Sequence, residues 1–365
     1  MSATMSAMVL EGHGGPERLV WHEDWPKPAA GAGEALVRVG ACGLNNTDIN
    51  TRTAWYSKSV QGATVEGGAG GAGDGDDAGD WGGAGLKFPR IQGGDVCGVV
   101  EAVGTGVDPG LVGQRVLLDP CLWDLEEPQD FDKAGYLGSE QDGGFAEYVA
   151  VRQESVHPVD SGLSDAELAT FPIAYLTAEN MLERAQVTSA DAVLVTGASG
   201  GVGSALVQLA KRRGARVVAL CSQSKRAEVA ALGADAVLAR DVADLSTALR
   251  QALGRETVTV VADVVGGDGF ARLIEALARG GRYTCSGAIA GPIVDLDLRT
   301  MYLHDLTFTG ATISPPGMFA RLVGYIERGE VRPLLAGSWP LEQLHEAQTA
   351  FVAKKHVGNM VVSVG

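Results

Sequence analysis

Positive charge is scarce in this 365-residue chain: 29 Lys and Arg stand against 45 Asp and Glu, a formal net charge of −16. A surface that acidic repels polyanions, and no local Lys/Arg stripe offsets it. Nucleic acid and anionic membrane are therefore excluded as partners; the acidity otherwise reads as a solubility trait. Cysteine is sparse as well. Cys42, Cys97, Cys121, Cys221 and Cys285 are odd in number, far apart and without a CxxC pair, which argues against a disulfide framework and a structural zinc knot. They read as small buried hydrophobes in a reducing compartment. No apolar run approaches the roughly 18–20 residues of a membrane span. The opening MSATMSAMVLEGHG has neither a basic leader nor a long apolar core, so the expected location is the cytoplasm.

What is present divides into three textures over a length that suits about two domains. Residues 1–160 alternate apolar and polar positions between Gly and Pro punctuation, as in ALVRVGACG and GVVEAVGTGV, the pattern of short, mostly antiparallel strands. Residues 161–304 alternate apolar strands with amphipathic helices, which implies parallel βαβ units. Residues 305–365 return to mixed elements ending in NMVVSV. The expected fold is α/β: a doubly wound parallel sheet inserted into a β-rich domain that the C-terminal segment completes. Residues 67–85, GGAGGAGDGDDAGDWGGAG, hold ten glycines and four aspartates in nineteen positions. They cannot bury enough surface to offset chain entropy. They read as a mobile surface loop, or as a lid with Trp81 as its one adhesive side chain. DGDD lacks the spacing and distal Glu of an EF-hand.

The strongest chemical signal is DAVLVTGASGGVGSALVQLAKRRGARVVALCS. Ala192 to Thr196 read as a buried strand, Gly201 to about Arg213 as a helix, and Arg216 to Cys221 as a second parallel strand. Between them Gly197, Gly200 and Gly203 fall three apart. Missing side chains there permit a tight turn, close approach of a pyrophosphate and close helix–strand packing, while free N–H groups face the phosphates. Gly197, Ser199, Gly200, Gly201, Val202 and Gly203 are thus the expected dinucleotide contacts, and the strand–turn–helix–strand context gives the pattern its specificity. After the second strand the chain reads Leu220-Cys221-Ser222-Gln223-Ser224-Lys225-Arg226, without the acid that would hold an NAD ribose. Ser222, Lys225 and Arg226 suit a 2′-phosphate instead, favouring NADPH over NADH, unless the two cations simply open a solvated helix.

With these residues in view, the chain resembles the medium-chain dehydrogenase/reductase superfamily, especially its zinc-free quinone oxidoreductase and zeta-crystallin-like branch. The resemblance runs over nearly the whole chain. It is carried by GGPERLVW (14–21), ACGLNNTD (41–48), GGDVCGVVEAVGTGV (93–107), GGFAEYVAV (143–151), FPIAYLTA (171–178), VTGASGGVGSALVQLAK (195–211), DVVGG (263–267) and HVGNMVV (356–362). It implies a GroES-like catalytic domain plus a Rossmann domain with NAD(P)(H) between them, in a homodimer or homotetramer. Thr177 and Gly287 match positions beside the nicotinamide. The family's closing Gly-Lys becomes Gly358-Asn359, placing Asn359 at the cofactor with one cation fewer.

Where zinc alcohol dehydrogenases carry a Cys, a His-Glu pair and a third ligand, this chain carries Asn45, Gly94-Asp95 and a position near Ile173. Gly and Ile side chains cannot ligate zinc and Asn is a poor ligand. The structural-zinc lobe is reduced to Cys121. The expectation is an enzyme without zinc. Without a Lewis acid, hydride delivery to an electron-poor small molecule is easier than alcohol oxidation. The stretch NNTDINTRTAWY (45–56) resembles the family's N-x-x-D-x-Y-x-R-x-G-x-Y, with Asn50 and Ala54 departing from it. This assigns Asn45 to hydrogen bonding with substrate or cofactor and Asp48 to ordering the loop, as a cap or in catalysis. Tyr56 is either a donor to the substrate oxygen or an aromatic wall. Quinone reduction leads. Reduction of an enone or enoyl thioester, an alcohol or carbonyl dehydrogenase, and a non-catalytic NADPH-binding protein are the alternatives.

Overall fold

The computed structural model describes residues 3–64, 86–128 and 130–365; the Gly/Asp-rich stretch 67–85 and its Trp81 lie outside them. Two sheets organise the chain. The first runs Val156–Pro158, Arg115–Leu118, Asp95–Val103, Glu34–Gly43, Asn359–Ser363 and Leu335–Pro340, with Tyr148–Arg152 also pairing with Glu34–Gly43. Its contacts are antiparallel except where the strands 335–340 and 359–363 lie parallel. The second is all parallel: Ala236–Ala239, Arg216–Cys221, Ala192–Val195, Val258–Asp263, Leu277–Cys285 and Thr307–Gly310.

Hydrophobic pattern explains the division. Ala192–Val195 is buried at every position, as a parallel strand covered on both faces must be. Glu34–Gly43, in contrast, includes partly and fully exposed positions. The C-terminal strand Asn359–Ser363 pairs with Glu34–Gly43, Val362 opposite Cys42. The chain therefore does return to its first domain, but the return comes later than residue 305. Thr307–Gly310 is the outer strand of the parallel sheet, and Met318, Phe319 and Leu322 share the core of its helices. Cys42, Cys97, Cys121 and Cys221 are buried and Cys285 is half-buried; none is bonded to another cysteine.

An ion pair fixes the two helices beside the glycine-rich turn. Arg213, after the helix Gly201–Arg212, donates through both terminal nitrogens to the carboxylate of Glu179 on the helix Pro172–Arg184, at 2.9 and 2.7 Å. Glu179 is buried. Removing one partner strands the other charge out of water, so Arg213→Ala is expected to cost about 3–5 kcal/mol. Urea unfolding with an unchanged m-value checks it; a loss under 1 kcal/mol would mean that water replaces the guanidinium.

Candidate active site

The turn Gly197–Gly203 forms where the sequence places it, between the strand Ala192–Val195 and the helix Gly201–Arg212. Gly197 has φ +55°, and a Cβ on it would meet Val264 Cγ2 at 2.9 Å. A Cβ on Gly203 would lie 2.1 Å from the Gly197 carbonyl oxygen, so helix and turn touch backbone to backbone. Gly200 caps the helix without a side-chain hydrogen bond, so no side chain occupies the end of the helix that would face an anion.

The C-terminal segment completes this cradle. The N–H of Gly358 donates to the Ser199 carbonyl at 2.9 Å. The Asn359 amide sits where a Cβ on Gly201 would be, within 2.7 Å, and its Oδ1 is buried with no partner among the described residues. Gly287 backs onto Val264, 3.3 Å from its carbonyl oxygen to a notional Cβ. Thr177 is the one position of 171–182 that is not buried. The small residues, the uncapped helix start and the orphaned Asn359 oxygen fit a dinucleotide.

Other expected cofactor residues are engaged elsewhere. Lys225 Nζ donates to the carbonyls of Lys354 and His356 at 2.7 and 2.6 Å. Arg226 is exposed and reaches the Val237 carbonyl at 2.7 Å. Ser222 and Ser224 face one another, Oγ to Oγ 3.4 Å.

Across the interface lies the second half of the site. Asn45 precedes the helix Asn46–Arg52, and its N–H donates to Asp48 Oδ2 at 2.7 Å. Asp48 therefore orders the start of this helix from its third position, while Asn45 itself holds the N-cap. Asn45 Nδ2 donates to Asp95 Oδ2 at 2.7 Å, and the Ile173 N–H donates to Asp95 Oδ1. Burial pushes the Asp95 carboxyl up to about 7 against the pull of those two donors. Asp48 is also pushed to about 7, by burial, with Asp95 adding and the Asn45 N–H opposing. Tyr56 shares hydrogen bonds with Thr47 and Asn50, and burial raises its phenol. Asn50, the departure from the family pattern, is thus a partner of Tyr56.

The three positions that hold zinc in related dehydrogenases do converge here. Asn45 and Ile173 both bond to Asp95, and a Cβ on Gly94 would lie 2.9 Å from Ile173 Cδ1. Their occupants do not fit zinc, because a hydrocarbon, a glycine and an amide surround one carboxylate already bound to two N–H groups. Among the described residues no three His, Cys, Asp or Glu side chains are grouped to hold a metal.

Two residues went unrecognised in the sequence. Tyr136 is buried within electrostatic reach of Asp95 and Tyr56, and burial holds its phenol well above the ordinary range. Its strand is two residues long, too short for periodicity to expose. Lys354 Nζ bonds Asn46 Oδ1 at 2.8 Å, from a loop some 300 positions away in the chain, which no local pattern encodes.

A dinucleotide cradle on a parallel sheet, joined to a buried polar cluster on a β-rich domain, defines an NAD(P)H-dependent oxidoreductase. The chain belongs to the medium-chain dehydrogenase/reductase superfamily. Residues 31–161 match the alcohol dehydrogenase GroES-like domain, and residues 201–328 match the zinc-binding dehydrogenase family. The chain is similar to acryloyl-coenzyme A reductase of Metallosphaera sedula, at 27% identity over 98% of this chain and 100% of that one. It is similar to quinone oxidoreductase of Rattus norvegicus at 25% identity, covering 98% and 97%. A solved structure from Sinorhizobium meliloti 1021, described as a candidate alcohol dehydrogenase, is 46% identical with a TM-score of 0.89, covering 99% and 97%. No helix of the described residues is long and apolar enough to cross a membrane.

Proposed function

We propose that this protein is a zinc-independent, NADPH-dependent reductase that delivers hydride to a quinone. The observation that carries the reading is the Asn45–Asp95–Ile173 cluster, which puts a hydrogen-bonding amide at the position of a zinc ligand. A neutral donor suits an acceptor that is already electron-poor, and does little to ionise an alcohol. The cofactor supplies the hydride. The chain's own groups do the rest. Asp95 holds one Asn45 N–H, leaving the amide's second N–H for a substrate oxygen, and Tyr56 offers a hydroxyl beside Asn50. Quinone, NADPH and one proton give hydroquinone and NADP⁺.

The same site suits hydride addition to the β-carbon of an enone or enoyl thioester, with a proton added at the α-carbon; similarity to the Metallosphaera acryloyl-coenzyme A reductase favours this second reading. Self-association belongs to the proposal too. It is supported by exposed Ile293, Leu298, Tyr302 and Leu303 close in sequence to the edge strand Thr307–Gly310.

The test is nicotinamide oxidation by chelator-treated protein, with 1,4-benzoquinone and 9,10-phenanthrenequinone, simple enones and a crotonyl thioester, run with NADPH and NADH. Quinone turnover that survives chelation and prefers NADPH is expected. Turnover with the unsaturated substrates alone would transfer the protein to the second reading, and activity abolished by chelation would refute zinc independence.

A further inference from the structure

Lys225 and Lys354 lie side by side at the seam between the domains. By gripping the carbonyls of Lys354 and His356, Lys225 fastens the segment after the helix Leu344–Val352 to the end of the strand Arg216–Cys221. Lys354 adopts φ 51°, passes 3.6 Å from the Phe351 ring centroid and bonds Asn46 Oδ1. Four residues on, Gly358 bonds the glycine-rich turn. Residues 354–359 therefore run from the strand end that carries the adenosine ribose in this fold to the turn that carries the pyrophosphate.

The electrostatics of this seam favour an anion. In a chain with a net charge of −16, both ammonium groups rest on neutral oxygens and repel each other. Burial, with Lys225 adding, pushes Lys354 down to about 7. Burial and the two lysines push His356 down to about 4. Phosphate oxygens beside them would relieve this repulsion and favour the charged amine.

We propose that Lys354 binds a phosphate of the dinucleotide, replacing the cation that this chain lacks at Gly358-Asn359, and that Lys225 is the latch that positions it. The inference rests on the dinucleotide-dependent function proposed above. The phosphate is either the 2′-phosphate of NADPH or the pyrophosphate common to both cofactors, and one experiment separates them.

Dissociation constants of NADPH and NADH are measured by nicotinamide fluorescence on the full chain, its Lys354→Gln variant and its Lys354→Arg variant. A charge-assisted hydrogen bond is worth roughly ten-fold or more in affinity. Lys354→Gln should lose that for NADPH, and Lys354→Arg should keep most of it. Loss for NADPH alone assigns the 2′-phosphate, and equal loss for both assigns the pyrophosphate. No loss for either overturns the proposal.

Should Lys354→Gln fail to fold, calorimetry of the unaltered chain decides. At pH 8 Lys354 is largely neutral, and an arriving phosphate should recharge it. NADPH binding should then take up a proton, visible as a dependence of the heat on buffer ionisation enthalpy. The groups facing Lys354 are Lys225, His356 and Asn46, with Cys221, Glu228 and Arg240 beyond Lys225. Absence of proton uptake overturns the proposal. Failure of the unaltered chain to bind either dinucleotide would instead refute the proposed function.

Discussion

Alanine at position 203 is expected to weaken dinucleotide binding severely while the rest of the chain stays folded. The added Cβ would lie 2.1 Å from the Gly197 carbonyl oxygen, 2.6 Å from its carbonyl carbon and 2.8 Å from Ala198 Cα. All three are backbone atoms, so no side-chain rotation relieves the clash. The helix must move away from the turn by about an ångström, and displacements of that size cost around a hundred-fold where geometry is fixed. The overpacking itself should lower stability by about 1–3 kcal/mol, less than the 5–15 kcal/mol typical of a domain. Thermal unfolding and fluorescence titration on one sample separate the two effects. A folded Gly203→Ala protein that binds NADPH normally would remove the turn from the cofactor site.

Loss of the Asp95 carboxylate should be nearly as severe, but in turnover. Its two oxygens satisfy Asn45 Nδ2 and the Ile173 N–H, both from buried residues. Asp95→Ala leaves those donors unpaired, at about 1–3 kcal/mol each. Asp95→Asn puts an NH₂ group against one of them, and so frees the Asn45 amide to turn. Under the proposed reaction kcat should fall about a hundred-fold, while the dissociation constant of NADPH stays unchanged, because the glycine-rich turn is untouched. The pH profile gives a second readout. Asp95 and Asp48 are both raised to about 7, and protonation of Asp95 removes an acceptor from Asn45 or Ile173. Wild-type kcat should therefore rise as pH increases through about 7, with Arg52, Cys42, Tyr56 and Tyr136 as the other titratable groups facing the pair. That rise should flatten in Asp95→Asn. Undiminished kcat in Asp95→Asn would show that Asn45 needs no such support.

How far the site could be read from the sequence depends on how far apart its parts lie. The strand–turn–helix–strand unit was legible almost to the residue, because burial on both sheet faces, a 3.6-residue period and three glycines are all local signals. Asp48 was legible as a residue that orders the loop, by cap or by catalysis; its bond to the Asn45 N–H three positions away is local, but that Asn45 holds the N-cap was not read. Lys225 and Arg226 were visible as cations at the end of the second strand, but not their engagements. An ammonium bonds whatever oxygen the tertiary structure brings near, and here that is the carbonyls of Lys354 and His356. The same reason hid Lys354, while Tyr136 lies on a strand too short for a period to show.

The sequence by itself determined the two-domain plan and the dinucleotide cradle, because these follow from side-chain type and from periods of two to four residues; the residues at the zinc positions were named by the family resemblance. Tertiary structure alone decided that Asn45, Asp95 and Ile173 would become one hydrogen-bonded cluster, and that a C-terminal lysine would stand beside the cofactor path. Asn45 and Asp95 are 50 positions apart, and Lys225 and Lys354 are 129. A hydrogen bond of 3 Å across such separations exists only once two sheets and the strand that returns to the first have set their register.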